Sequence, residues 1–80
     1  MEALKNGGRK VVGTRQVLRA LKAGTLSRVY VANDADTFIY QQVVRAAEAA
    51  GVACVRVPSM RELGSACQLE VPAAAAGLLR

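Results

Sequence analysis

The sequence has no histidine and no tryptophan, and it contains few of the groups that usually carry out enzyme chemistry. No serine stands beside a plausible general base, and no glycine-rich phosphate loop of the G-x-x-x-x-G-K type is present. The closely spaced carboxylates are limited to Asp34 and Asp36. These absences predict a protein that is not an enzyme, with no catalytic residues and no cofactor.

The pair Asp34 and Asp36 follows a predicted strand, where two carboxylates can hold a hard cation. Asp36 is also a natural N-cap for the helix predicted after it, and Asp34 can accept hydrogen bonds from the turn backbone. We favour this structural interpretation over metal binding.

Cysteine is scarce as well. Cys54 and Cys67 fall in different predicted elements, and the chain has neither a C-x-x-C pair nor a histidine, so a structural zinc site is not expected. In an intracellular chain, two isolated cysteines are most often small buried hydrophobes, and a redox pair is the alternative.

Long apolar runs are missing. The longest, Val71 to Leu79, is too short for the ~20 residues of a membrane helix, and no charged-then-apolar leader opens the chain. We therefore expect a soluble, cytoplasmic protein without a membrane partner. The aromatic residues are only Tyr30, Phe38 and Tyr40, so the predicted core consists of Val, Leu, Ile and Ala in closely approaching layers.

Acidic residues are nearly absent from residues 1–28, which contain only Glu2 against the cations Lys5, Arg9, Lys10, Arg15, Arg19, Lys22 and Arg28. The sequence pI is about 9.9. A basic excess confined to one part of a cytosolic chain is typical of a surface that binds a polyanion, usually nucleic acid. A solvated basic surface that maintains solubility is the alternative, and charge alone does not separate the two.

Three of these cations fall in residues 13–24, a segment bounded by two glycines. At about 100° per residue, Arg15, Arg19 and Lys22 share one helix face. The opposite face is apolar and carries Val17, Ala20 and Leu21, with Leu18 at its edge. We predict a helix of about three turns with Thr14 as a hydroxyl N-cap and Gly24 as a left-handed C-terminal cap.

The rest of the chain alternates between strand and helix patterns. Strands are predicted at Arg9–Val12, Ser27–Ala32, Val52–Val57 and Ala73–Leu79, and helices at Met1–Asn6, Thr37–Ala50 and Met60–Cys67. Ser59 and Glu62 form a capping box before the last helix. This alternation predicts one α/β domain over residues 1–80, with a short arm at residues 1–8 and a sheet of about four strands covered by helices on both faces.

The predicted loop Gln68–Pro72 contains two apolar residues, Leu69 and Val71. Exposed apolar groups that lie together usually mark contacts. Val71, next to Pro72, is expected to be exposed, whereas Leu69 fits either an exposed or a core position.

Five short motifs, in order and at matching spacing over nearly the whole chain, resemble the kink-turn-binding ribosomal protein L-seven-Ae family, most closely its small bacterial ribosomal-protein-like members. They are Gly13-Thr14-Arg15-Gln16, Leu21-Lys22-Ala23-Gly24, Asp34-Ala35-Asp36, Leu63-Gly64-Ser65-Ala66-Cys67 and Leu69-Glu70-Val71-Pro72.

This resemblance implies a three-layer α/β/α sandwich with a central mixed sheet of about four strands, which binds kink-turns in structured RNA. In that family the first helix start enters the widened major groove beside sheared G·A pairs, and the loop contacts extruded bases. The implied RNA-binding residues are Gly13, Thr14, Arg15, Gln16, Arg19, Lys22, Leu69, Glu70 and Val71. The partner would be ribosomal or regulatory RNA, or the ribosome. A protein-interaction or ribosome-associated module that does not recognise a kink-turn is the alternative.

The sequence departs from the family pattern at three positions. Gln68 stands where relatives usually have glycine, which is expected to alter the loop backbone because a left-handed conformation is costly for other residues. Thr37 replaces a frequent proline, which is harmless at a first helical position. Arg15 keeps a hydrogen-bond donor where relatives have Asn or Lys, with different geometry.

Overall fold

The computed structural model of the protein describes residues 2–5 and 8–80, in which one mixed sheet lies between two layers of helices. The elements are α1 (Glu2–Lys5), β1 (Lys10–Val12), α2 (Thr14–Ala23), β2 (Leu26–Ala32), α3 (Thr37–Ala49), β3 (Ala53–Val57), α4 (Met60–Ala66) and β4 (Ala75–Leu79). The predicted three-layer sandwich with a mixed sheet of four strands is confirmed. Met1, Asn6 and Gly7 of the predicted arm lie outside the described residues. In the described part, no helix is long and apolar enough to cross a membrane.

The strands follow the spatial order β1-β4-β2-β3. β4 runs antiparallel to both of its neighbours, while β2 and β3 are parallel. As a result, β1, β2 and β3 all finish at the end of the sheet where β4 begins. We call this the carboxyl end of the sheet. Four connections meet there: the turn at Gly13, residues 33–36, residues 58–59 and residues 67–74.

Alternation along β2 divides the hydrophobic core in two. Val29 and Val31 face α2 and α3, whereas Tyr30 and Ala32 face α4 and α1. Side chains pack closely over β4 because its first three residues are small. A Cβ added to Gly77 would lie 2.6 Å from a methyl carbon of Leu26. The expected core of small aliphatic residues is confirmed.

Several predicted details are corrected. Gly13, not Thr14, is the N-cap of α2, and Thr14 is the first helical residue. The third helix ends at Ala49, one residue earlier than predicted, and Ala50 is its exposed C-cap. The last strand begins at Ala75 because residues 73 and 74 continue the loop. The left-handed cap at Gly24 is confirmed, with φ of 74°.

Candidate nucleic-acid interface

The turn at Gly13 fixes the start of α2 to β4, one of the two interior strands of the sheet. Its N–H donates a hydrogen bond of 2.9 Å to the carbonyl oxygen of Ala75, the first residue of β4. The residue has φ of 105°, which disfavours any side chain. A Cβ at this position would also lie 2.9 Å from Oε1 of Gln16. The positive φ therefore favours glycine here, whereas the flexible end of the Gln16 side chain can move to make room for a Cβ.

The first turn of α2 has no side-chain cap, because its N-cap residue is a glycine. The backbone N–H groups of a helix's first turn have no acceptor within the helix, and the helix dipole adds positive potential there. Arg15 and Gln16 are exposed at this point, and the turn contains no acid. Together these groups favour an anion such as a phosphate.

The predicted two-sided character of α2 is confirmed. Arg15, Arg19 and Lys22 are exposed, and the opposite face buries Val17, Ala20 and Leu21. Beside Arg15, a groove of about 380 Å³ lies between Thr14 and Leu18 of α2 and Gln42 of α3. The basic face of α2 therefore borders a concave surface that the neighbouring helix completes.

The loop after α4 keeps a regular backbone in spite of Gln68. This residue adopts the left-handed conformation, with φ of 64°. Its N–H donates to the carbonyl of Ser65, and the N–H of Leu69 donates to the carbonyl of Gly64, both at 2.9 Å. These two bonds form a Schellman motif, which glycine usually completes. The backbone of Gln68 therefore adopts the left-handed conformation that a glycine would have, and the expected change of the loop backbone is not seen at this residue.

The same loop packs closely on α4 and presents its apolar residues outward. A Cβ on Gly64 would lie only 2.1 Å from the carbonyl oxygen of Val71. Val71 is 62% exposed, as predicted, and Leu69 is 40% exposed, which decides in favour of its exposed alternative. Glu70 is also exposed. The loop therefore offers an apolar surface from a rigid base.

Asp34 and Asp36 hold the backbone together at the carboxyl end of the sheet. Asp36 caps α3 by accepting from the N–H groups of Phe38 and Ile39, as predicted. Asp34 accepts from the N–H of Met60 at 2.7 Å, so it caps α4 from another loop instead of bonding its own turn. Within residues 2–5 and 8–80, no three metal-ligating side chains of the His, Cys, Asp and Glu types come together.

The fold brings most of the predicted site residues to one end of the sheet. Gly13 to Gln16 follow β1, and Leu69 to Val71 precede β4, which is the strand that holds Gly13. Lys22 lies about 10 Å further along α2, at 1.5 Å of helix rise per residue. The two predicted stretches therefore share this end of the sheet, whereas Lys22 lies further from it along the helix.

Sequence reasoning missed four residues on this surface. Arg61 and Ser65 of α4 line a groove of about 220 Å³ together with the loop. Phe38 and Gln42 lie on α3, beside the groove at Arg15. Helical spacing alone would have placed Phe38 on the polar face of α3, together with Gln41 and Arg45.

The two cysteines are free thiols. Cys67 is buried under α4 and Cys54 is half-buried on β3. Burial raises the pKa of both thiols, opposed in part by Arg56 near Cys54 and by Lys10 near Cys67. The interpretation as buried hydrophobes therefore holds for Cys67 and only partly for Cys54.

The three-layer sandwich and the uncapped basic helix start make this chain a small α/β protein with a candidate anion-binding surface. Comparison with known proteins places it in a family. The chain belongs to the ribosomal protein L7Ae/L30e/S12e/Gadd45 family, whose profile matches residues 1–80. It is 46% identical over 79 residues to an RNA-binding protein of Geobacillus thermodenitrificans, covering 99% of this chain and 96% of the relative. An RNA-binding protein of Caldanaerobacter subterraneus is 35% identical over 68 residues, covering 85% and 83%.

Solved structures share the fold. The Giardia lamblia 15.5kD RNA binding protein superposes with a TM-score of 0.83 at 30% identity, over 89% of this chain. The chain spans 60% of that protein's length. A Bacillus halodurans protein of unknown function superposes with a TM-score of 0.86 over 99% of this chain and 79% of its own. At 16% identity, the second match supports the fold alone.

Proposed function

We propose that the protein is a cytoplasmic RNA-binding protein that recognises kink-turns, as a ribosomal protein or a ribosome-associated factor. The observation that carries this proposal is the position of two unlike surfaces at one end of the sheet. One is the uncapped, basic start of α2, and the other is the exposed apolar loop Leu69–Val71. The names of the relatives, which describe RNA-binding proteins, support RNA as the ligand.

The chemistry of the two surfaces fits a bent RNA better than a straight one. In an ordinary A-form helix the major groove is too deep and narrow for side chains to reach the bases. A kink-turn widens that groove and extrudes bases, so both kinds of contact become available. Arg15 and Arg19 can then donate to guanine or phosphate oxygens, Gln16 can pair with a base edge, and Val71 can pack on an unstacked base.

Titration of three RNAs of equal length tests the proposal: a kink-turn, a straight duplex, and a kink-turn whose G·A pairs are replaced by Watson–Crick pairs. The kink-turn should bind more tightly than the other two. Its affinity should also fall as the salt concentration rises. In a plot of log affinity against log salt concentration, each neutralised phosphate should contribute a slope of about −0.7 to −0.9. Equal affinity for all three RNAs would favour a module that does not recognise kink-turns.

The physiological RNA requires a separate experiment. Purification of the protein from cells under native conditions, followed by sequencing of the bound RNA, should recover ribosomal RNA or a regulatory RNA that contains a kink-turn. Recovery of ribosomes only when their RNA is intact would support the ribosomal role. Recovery that is unaffected by ribonuclease would instead favour a protein partner.

A further inference from the structure

Phe38 is the most exposed of the large apolar side chains that are exposed in the described structure, at 72%. It stands in the first turn of α3, a helix whose buried face is formed by Val43 and Ala47. Gln41, Gln42 and Arg45 follow it at spacings of three, four and seven residues, so all four side chains lie on one face. We call this group the α3 platform.

The α3 platform is concave and continuous with the basic face of α2. Its four residues line a shallow groove of about 210 Å³. Gln42 also lines the neighbouring groove, whose other wall contains Thr14, Arg15 and Leu18. A ligand held at Arg15 can therefore extend over Gln42 to Phe38 without leaving the surface.

We propose that the α3 platform binds an unpaired nucleotide that flanks the kink-turn in the same RNA. The base stacks on the ring of Phe38, the amides of Gln41 and Gln42 bond its edge, and Arg45 contacts its phosphate. This inference rests on the proposed function and adds a binding site to it. Stacking on an exposed aromatic ring contributes about 1–3 kcal/mol per base and tolerates any sequence.

Charge favours a nucleic acid over an acidic or purely apolar occupant. The groove is lined by one cation and two amides, and it contains no acid. The acid nearest in sequence, Asp36, uses its carboxylate to accept from the N–H groups of Phe38 and Ile39. Arg15 adds a second cation where the two grooves meet.

The test compares a blunt kink-turn RNA with the same RNA carrying an unpaired uridine tail at either helical end. For the wild-type protein, one tail should raise the affinity roughly fivefold or more, which corresponds to about 1 kcal/mol of stacking. Phe38→Ala should lose this gain and still bind the blunt RNA normally. Phe38→Trp should retain the gain, and Phe38→Leu should lose it, because leucine is apolar but offers no ring.

Val55→Ala is the matched control, since Val55 is another exposed apolar residue, on β3. It should behave as the wild type with every RNA. The inference is overturned if neither tail raises wild-type affinity, or if Phe38→Ala weakens blunt and tailed RNA equally. It is also overturned if Phe38→Ala abolishes self-association in sedimentation, which would assign the platform to a second copy of the chain. Failure to bind blunt RNA would instead reject the proposed function.

Discussion

The carbonyl oxygen of Val71 lies directly over the backbone of Gly64, where a Cβ would approach it to 2.1 Å. The same glycine accepts the N–H of Leu69 through its carbonyl. Gly64 thus contacts the loop in two ways: its lack of a side chain lets Val71 approach, and its carbonyl accepts a hydrogen bond from Leu69. Gly64 therefore lets the loop pack against α4, to which hydrogen bonds from Gln68 to Ser65 and from Ala73 to Met60 also hold it.

Gly64→Ala should destabilise the protein by about 1–3 kcal/mol, because the added methyl forces the loop backbone to move. Chemical denaturation measures this change. Ser65→Ala is the control, since Ser65 is exposed and is the next residue of the same helix. If both variants have the same stability, the loop moves away at no cost. RNA affinity should also fall for Gly64→Ala, because Leu69 and Val71 are displaced.

Gln68→Gly should raise the free energy of unfolding by up to about 1 kcal/mol, because glycine has no penalty in the left-handed conformation that residue 68 adopts. The gain is reduced by the loss of a long hydrogen bond from Gln68 to the carbonyl of Lys5. Ser65→Gly, inside α4, should have the opposite sign. If both variants lose stability, the hydrogen bond to Lys5 contributes more than the left-handed conformation of Gln68 costs.

The fold was largely predictable from sequence because the hydrophobic periodicity and the capping and turn residues indicate the same helices and strands at most positions. Gly24 and Asp36 took their expected roles, and Ser59 accepts from the N–H of Glu62 as the capping box predicts. Thr14 was assigned wrongly because a hydroxyl N-cap and a glycine N-cap give the same local pattern. The central position of β4 was not predictable either, since pairing between distant strands has no local signal.

Arg15→Ala or Gln16→Ala should lower affinity for a kink-turn by on the order of 1–3 kcal/mol, because each is expected to recognise a base edge. Binding to a straight duplex should change much less, because no base edge is accessible there. Lys22→Ala is the matched control on the same helix face, and it should weaken both RNAs about equally through a lost phosphate contact. Fluorescence titration of both RNAs measures all three variants. If Arg15→Ala lowers the affinity for the kink-turn and for the straight duplex equally, Arg15 contacts a phosphate instead of a base edge.

Val71→Ala should lose affinity only when the RNA offers an extruded base. With an abasic nucleotide in the bulge, wild type and variant should bind equally, so a double-mutant cycle should give a coupling energy different from zero. A coupling of zero with both proteins folded would show that the loop does not contact a base. The backbone of Gln68 gives no reason to expect such a result, because it adopts the left-handed conformation that glycine usually provides at this position.

The thiols should be labelled slowly by iodoacetamide at neutral pH, and faster as pH rises. Burial raises the pKa of Cys54 and of Cys67, so the reactive thiolate is scarce below the ordinary thiol pKa of about 8.5. Cys54 should react first because it is only half-buried. Stability linked to the neutral thiols should be present below that pH and decline above it. Mass spectrometry of labelled peptides checks the order, and equal rates in the native protein would contradict it.

The candidate site was less predictable than the fold. The positions of Arg15 and Val71 follow from local patterns and were expected to be exposed, whereas the contact of Gln42 with the groove at Arg15 depends on how α2 packs on α3. Asp34 was expected to bond its own turn, but its acceptor role is satisfied by Met60, 26 residues further on. Such partners are set by tertiary packing, which periodicity does not encode.

The position of β4 between β1 and β2 also sets the order in which the protein can assemble. β4 follows the other strands in the chain, and its first residue, Ala75, accepts the N–H of Gly13. Pairings between residues so distant in sequence form late and slowly. During synthesis, at roughly 5–20 residues per second, the basic helix is made several seconds before the strand that anchors it. Binding competence should therefore appear in one step, when β4 inserts, and a nascent chain without β4 should not engage its RNA.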